Sequence, residues 1–214
     1  MVAFLYSRGK TSWKANLGFP FFGANIMSSS ANEPVPGEDV DLLWERACSG
    51  LAPGSCSHAV RNLKDGDLER LVPLVYSAFA GTVDSAPLEK WGRKLLAIVS
   101  NQYGPFLSTA SFAAETPSGQ LAGTVLATDF ALYKAPVIAL IAVAPGTQHQ
   151  GLGSYLLRRS IQALALEGFP NCRARISPGN DASLRLFRKA GFQLRRVDLN
   201  GSPHSGGRQA VPPA

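Results

Sequence analysis

Apolar positions along this chain follow two periods, and the switches between them outline its elements. The strongest run is 137–143, Val-Ile-Ala-Leu-Ile-Ala-Val, bounded by Pro136 and by Pro145-Gly146. An unbroken apolar run of that length predicts a strand buried on both faces. Beyond Gly151-Leu152-Gly153, apolar residues recur at helical spacing and predict a helix over 154–167. Gly168-Phe169-Pro170 stops it, and 172–176 reads as another strand. Asn180 or Asp181 caps a helix running to Ala190, Gly191 ends it as a C′ glycine, and 192–197 is a strand.

Upstream, 57–62 reads as a strand. Asp65 and Asp67 offer N-caps for a helix to about Ala80, with Leu68, Leu71, Val72, Val75 and Phe79 on one face. Pro73 lies inside that pattern and predicts a kink or a shorter regular segment. Gly81-Thr82-Val83-Asp84 is a break. Pro87 then opens a helix whose buried face is Leu88, Trp91, Leu95, Ile98 and Val99. Segments 107–114 and 121–128 flank a turn-rich linker, 115–120, and predict an antiparallel hairpin; 129–135 connects it to the central strand. Strands and helices in this order, with an antiparallel first half, predict an α/β domain with a mixed sheet.

The junction after the central strand carries the first chemistry. A strand, a glycine-rich turn and a helix converge there. The free N–H groups of a first helical turn and the positive end of its dipole favour an anion such as a phosphate. Gly151 and Gly153 are expected to let the ligand approach the backbone. Gly-x-Gly alone is weak evidence: no third dinucleotide glycine and no Gly-Lys-Ser/Thr follows. Gln148-His149-Gln150-Gly151-Leu152-Gly153 is more specific, as is the stretch from Asn180 through Ser183, Leu186 and Phe187 to Gly191-Phe192, about 30 residues later.

Together these two motifs resemble the GNAT superfamily of acyl-CoA-dependent N-acetyltransferases, over roughly 56–197. The resemblance implies a GNAT-like fold: a mixed, mostly antiparallel sheet with a splayed parallel central strand pair, flanked by helices. It implies acetyl-CoA as cosubstrate. The pyrophosphate would lie on Gln148, His149, Gln150, Gly151, Leu152, Gly153 and Ser154. The pantetheine arm would lie along Ile141, Ala142 and Val143, near Asn180, Ser183 and Phe187. It places the amine acceptor against the loop and helix after the break, with Thr82, Asp84 and Trp91 as contacts. Many relatives carry a tyrosine as acid where Phe187 stands. The catalytic acid and base therefore stay open, with Ser183, Glu115 and Asp129 as candidates. The resemblance also implies one more strand after 197, for which 209–211 is at most a stub. Two functions fit: an N-acetyltransferase acting on a small-molecule or protein amine by direct attack, or a CoA-binding regulatory or non-catalytic module.

Charge placement adds to this. The net charge is +6, yet 146–197 holds nine cations against Glu167 and Asp181. The rest of the chain is thus about neutral. Such a field attracts a polyanion such as the phosphates of coenzyme A; without interleaved aromatics it does not favour nucleic acid. Cys48, Cys56 and Cys172 lack metal-ligand spacing and are expected to be reduced cytoplasmic thiols, with no metal bound. No apolar run nears the roughly 20 residues that cross a bilayer, so no membrane association is expected. Residues 1–55 are expected to form a largely disordered leader, with a short helix at 40–48, and 198–214 a polar Gly/Pro-rich tail.

Overall fold

The structure is a computed structural model and describes residues 43–64 and 66–195. The described strands are β1 (Leu43–Ala47), β2 (Ala59–Asn62), β3 (Phe112–Glu115), β4 (Leu121–Phe130), β5 (Ala135–Val143), β6 (Asn171–Arg175) and β7 (Gln193–Arg195). The helices are α1 (Asp67–Phe79), α2 (Leu88–Val99), α3 (Leu152–Leu166) and α4 (Asp181–Lys189). The strands form one sheet in the order β2-β3-β4-β5-β6-β1-β7. Every neighbouring pair is antiparallel except β5–β6. This is the mixed, mostly antiparallel sheet that the sequence predicts.

Two apolar layers clothe the sheet. On one face α1 and α2 bring Leu71, Val75, Trp91, Leu95 and Ile98 onto Leu126, Leu140 and Ala142. On the other, α3 and α4 bring Leu156, Leu157, Ile161 and Phe187 onto Val125, Ala127 and Ile138. Ile138 and Leu140 are two apart on β5, yet they serve opposite layers. The register of β4 against β5 slips between Leu126 and Ala127, leaving Ala139 as the extra residue of a β-bulge. A bulge reverses the alternation of side chains and bends its strand.

Several expectations are corrected. The helix expected at 40–48 is strand β1, where Leu43, Trp44 and Glu45 are all buried. Nine residues cannot separate the two periods; long-range pairing decides, and β1 is hydrogen-bonded to β6 on one edge and β7 on the other. Glu45 fixes this triple of strands, accepting from Arg173 Nε at 2.6 Å and pairing with Arg195 at 2.7 Å. The hairpin strand expected from Leu107 begins only at Phe112, after a 3₁₀ turn at Ser108–Ala110. Asn62 Nδ2 holds that turn by donating to the carbonyls of Ser108, Thr109 and Ser111. Helix α1 runs through Pro73 without a break, and Leu74 rather than Val72 is buried. On α2, Leu88 is exposed. The expected stub at 209–211 lies outside the described residues, as do Asp65, most of the leader and the tail. The place between β6 and β7 is filled by β1, from the opposite end of the chain.

Asp67 does not cap α1. Gly66 occupies that position with φ 87°, and Asp67 turns its buried carboxylate to Arg61 at 2.6 Å, to Arg70 at 3.2 Å and to the Lys64 N–H at 2.8 Å. Glu115 completes the network through Arg61 at 2.7 Å. Burial alone would raise the Asp67 carboxyl, but the bonds from Arg61 and Lys64 outweigh it and hold it below the usual carboxylate range. A depressed carboxyl stabilises the fold above its unfolded pKa of about 3.9, and that contribution is lost as pH falls through the folded value. Asp67→Ala is expected to cost about 2 kcal/mol in urea unfolding at neutral pH, because it removes the buried carboxylate that Arg61, Arg70 and the Lys64 N–H share and leaves both guanidinium groups to Glu115. The variant should also lose stability less steeply than the parent below pH 4.

Candidate active site

β5 and β6 are joined at one register position, Val137 with Arg173, and diverge beyond it. A pocket occupies the opening. It is lined by Ile138, Ala139, Leu140 and Ile141 of β5, by Asn180, Ser183 and Phe187, and by Phe79, Asp84, Trp91 and Lys94. A wider cavity of about 350 Å³ adjoins it along Lys94, Arg175, Ser177 and Pro178. The bulge at Ala139 lies at the centre.

Backbone direction follows from pairing. The Ala144 N–H donates to Ala122 O at 2.8 Å, toward β4. By strand alternation, Ala142 also faces β4, while Ile141 and Val143 turn their amide and carbonyl groups toward the gap. Gln148 Nε2 donates to Val143 O at 3.0 Å, tying the following loop to the end of β5.

That loop delivers the start of α3 beside the gap. His149 and Gly151 both adopt left-handed backbone, with φ 61° and 83°. Gly151 is the N-cap, and a Cβ there would meet nothing within 4 Å, so its surroundings are open. Gly153 differs from expectation. A Cβ on it would point inward, 3.5 Å from Val143 Cγ2 and 3.7 Å from Leu186 Cδ2. Both are ordinary van der Waals distances, so packing does not require glycine at this position. Leu152 is buried in the core, so at the loop it offers only its backbone. The N–H groups of Leu152, Gly153 and Ser154 form the first turn, where no intrahelical acceptor exists. Gln150 bonds back to Gly146 O at 3.3 Å.

On the far side of the pocket, Asp84 spans two distant parts of the chain. Its Oδ1 accepts from Ser177 Oγ at 2.5 Å, and its Oδ2 accepts from Asn180 Nδ2 at 2.6 Å. Asn180 also caps α4, its Oδ1 accepting the Ser183 N–H at 3.0 Å. Thr82 Oγ1 accepts the Asp84 N–H at 3.2 Å and donates to Phe79 O at 2.8 Å, which shapes the loop. Trp91 stacks on Phe79 with centroids 4.8 Å apart.

The structure thus gathers Ile141, Asn180, Ser183, Phe187, Asp84 and Trp91 into one pocket. Glu115 and Asp129 are not among its lining residues. Glu115 belongs to the Arg61 network, which lowers its carboxyl through the bond from Arg61. Asp129 ends β4 opposite Pro136. Phe79, Lys94, Arg175 and Ser177 line the pocket and were missed. Lys94 alone had a sequence signal, one helical turn beyond Trp91. Many of the segment's cations are structural: Arg173 and Arg195 hold Glu45, Arg159 lies over Phe112 at 5.4 Å, and Arg188 over Trp44 at 5.2 Å. No cluster of three or more potential metal ligands occurs among the described residues, and none of their helices is long and apolar enough to cross a membrane.

Residues 77–192 match the family model of the acetyltransferase (GNAT) family. The chain belongs to that family. The GNAT match starts within α1 and so leaves out β1 and β2. A GCN5-related N-acetyltransferase from Sphaerobacter thermophilus is similar in fold, with TM-score 0.57 and 18% identity over 74% of this chain. This chain spans 50% of that protein's length. The PaiA N-acetyltransferase from Thermoplasma acidophilum, crystallised with coenzyme A, gives TM-score 0.53 and 20% identity, covering 67% of this chain and 94% of its own. No curated protein matches the sequence.

Asn180 does two jobs, and truncation separates them. Asn180→Ala removes a helix cap and leaves Asp84 with one donor, so a loss of about 2 kcal/mol in urea unfolding is expected. Asn180→Ser keeps a cap acceptor and should recover about half of it. Amide exchange in 82–86 should accelerate in both variants.

Proposed function

We propose that this GNAT protein is an N-acetyltransferase that moves an acetyl group from acetyl-CoA to a primary amine, small-molecule or protein, by direct attack. The observation that carries this reading is the pocket at the β5–β6 divergence, with the α3 N-terminus beside it and the Asp84 loop across it. The pyrophosphate of acetyl-CoA would accept from the N–H groups of Leu152, Gly153 and Ser154, favoured by the helix dipole. The amides of the pantetheine arm would bond to the inward-facing backbone of Ile141 and Val143, as an added strand does. The thioester then reaches the bulge at Ala139.

The acceptor enters from the α1–α2 side. Its nitrogen must lose a proton before or during attack. Asp84 is the carboxylate lining the pocket, and each of its oxygens retains acceptor capacity beyond the single bond it makes. The nitrogen attacks the thioester carbon, and the oxyanion that forms is stabilised by a backbone N–H of the divergent edge of β5. Collapse breaks the carbon–sulfur bond and releases the CoA thiolate. Phe187 has no proton to give. Ser183, a turn before it and also lining the pocket, is a weak acid; a thiol with pKa near 8.5 needs little help from one.

A second reading, a CoA-binding module without transferase activity, draws on Phe187. It is 3% exposed and packs edge-to-face on Phe192 at 4.9 Å. Thiol release from acetyl-CoA across a panel of amines separates the two. Amine-dependent release supports transfer; CoA binding with no release from any amine supports the module.

The phosphate loop yields a further expectation. Gly151→Glu places a carboxylate at the open N-cap and forces a side chain into left-handed backbone, at about 1–2 kcal/mol of stability. The variant should stay folded and lose CoA binding in calorimetry. Gly153→Ala, whose Cβ has ordinary contacts, should keep both fold and affinity. Unchanged affinity in Gly151→Glu would remove the phosphate assignment.

A further inference from the structure

The acceptor side of the pocket carries two opposite charges that do not meet. Asp84 and Lys94 both line it, yet no ion pair joins them. Asp84 is held by Ser177 and Asn180, which reach it from beyond β6. Lys94 is held by the other wall: its ammonium lies 5.1 Å from the Trp91 ring centroid, and that ring is stacked on Phe79. Each charge is thus fixed to a different part of the scaffold, and both line the same pocket.

The surroundings of Lys94 reinforce the separation. Burial lowers its pKa from the ordinary lysine value; Asp84 opposes that, and Lys90 and Arg175 add to it. The adjoining cavity of about 350 Å³ has Lys94 on its wall. Its size is within the range of small-molecule sites. A polycationic amine would meet like charge there, which selects against it. A ligand carrying both an amine and an anion would satisfy both walls at once.

We infer that the acceptor is a small zwitterionic amine, an amino acid or a close derivative, whose carboxylate pairs with Lys94 while its amine faces Asp84. This rests on the transferase reading and specifies its substrate class. Lys94 is then a specificity-determining residue, acting on binding of the acceptor and taking no part in bond making.

The test uses the full chain with acetyl-CoA and three sets of amines: common L-amino acids, their methyl esters, and spermidine. At least one free amino acid should show kcat/KM about tenfold or more above its methyl ester and above spermidine, the size expected for a charge-assisted hydrogen bond. Lys94→Met should erase that margin by raising KM for the free acid, and Lys94→Arg should restore most of it. A better ester, a better spermidine, or an equal loss for acid and ester in Lys94→Met would overturn the inference. Calorimetry of the same amino acids on the CoA-saturated protein reads the site apart from catalysis. Lys94-dependent binding supports the inference even if no amine releases thiol, an outcome that removes only the transferase reading. Absence of any such binding overturns it.

Discussion

The candidate site depends on one break in the sheet: parallel strands β5 and β6 share a single register position and then separate. Pairing of the whole sheet would satisfy the backbone of Ile141 and Val143 internally and leave no room between the helical layers. Separation turns those groups toward a gap, where the Val143 carbonyl accepts from Gln148. Under the proposed reading an amide-bearing ligand would pair with the others. The bulge at Ala139 adds to it by bending β5 at the centre of the pocket and reversing which layer its side chains serve.

Holding a sheet open requires support on both sides of the opening. On the β6 side it comes from β1, which supplies Glu45 to Arg173 and Arg195 and so binds three strands together. Across the gap it comes from Asp84, bonded to Ser177 and Asn180 more than ninety positions away. This bond closes a long loop, and its entropic cost grows only slowly with length. In the proposed reaction the same carboxylate that braces the opening would face the incoming amine, so support and chemistry would share a residue.

The basic segment looks different once its partners are known. Its density of arginines reads along the chain as a field for phosphates. In three dimensions two of those arginines share the Glu45 carboxylate and two lie over aromatic rings. The pocket also holds a lysine from another segment, Lys94, over the Trp91 ring, while Asp84 is held by Ser177 and Asn180.

The sequence by itself determined what depends on local period and local chemistry. The apolar run 137–143, the helical spacing after Gly153, the Asn180 cap and the glycine at 151 each carry their physics within a few residues, and each stands where it was expected. So does the family, because its two motifs are short and ordered. Tertiary structure alone decided what depends on contacts distant in the chain. Residues 43–47 are a strand because two edges were waiting for one, whatever their helical spacing. A Cβ at Gly153 would point toward Val143 and Leu186 because β5 and α4 lie on that side. Asp67 is an ion-pair hub rather than a cap because Arg61 and Glu115 converge on it. Asp84 and Lys94 line one pocket because elements distant in the chain hold them there. Spacing along a chain encodes faces of single elements; which face meets which is set by packing, and no local pattern carries it.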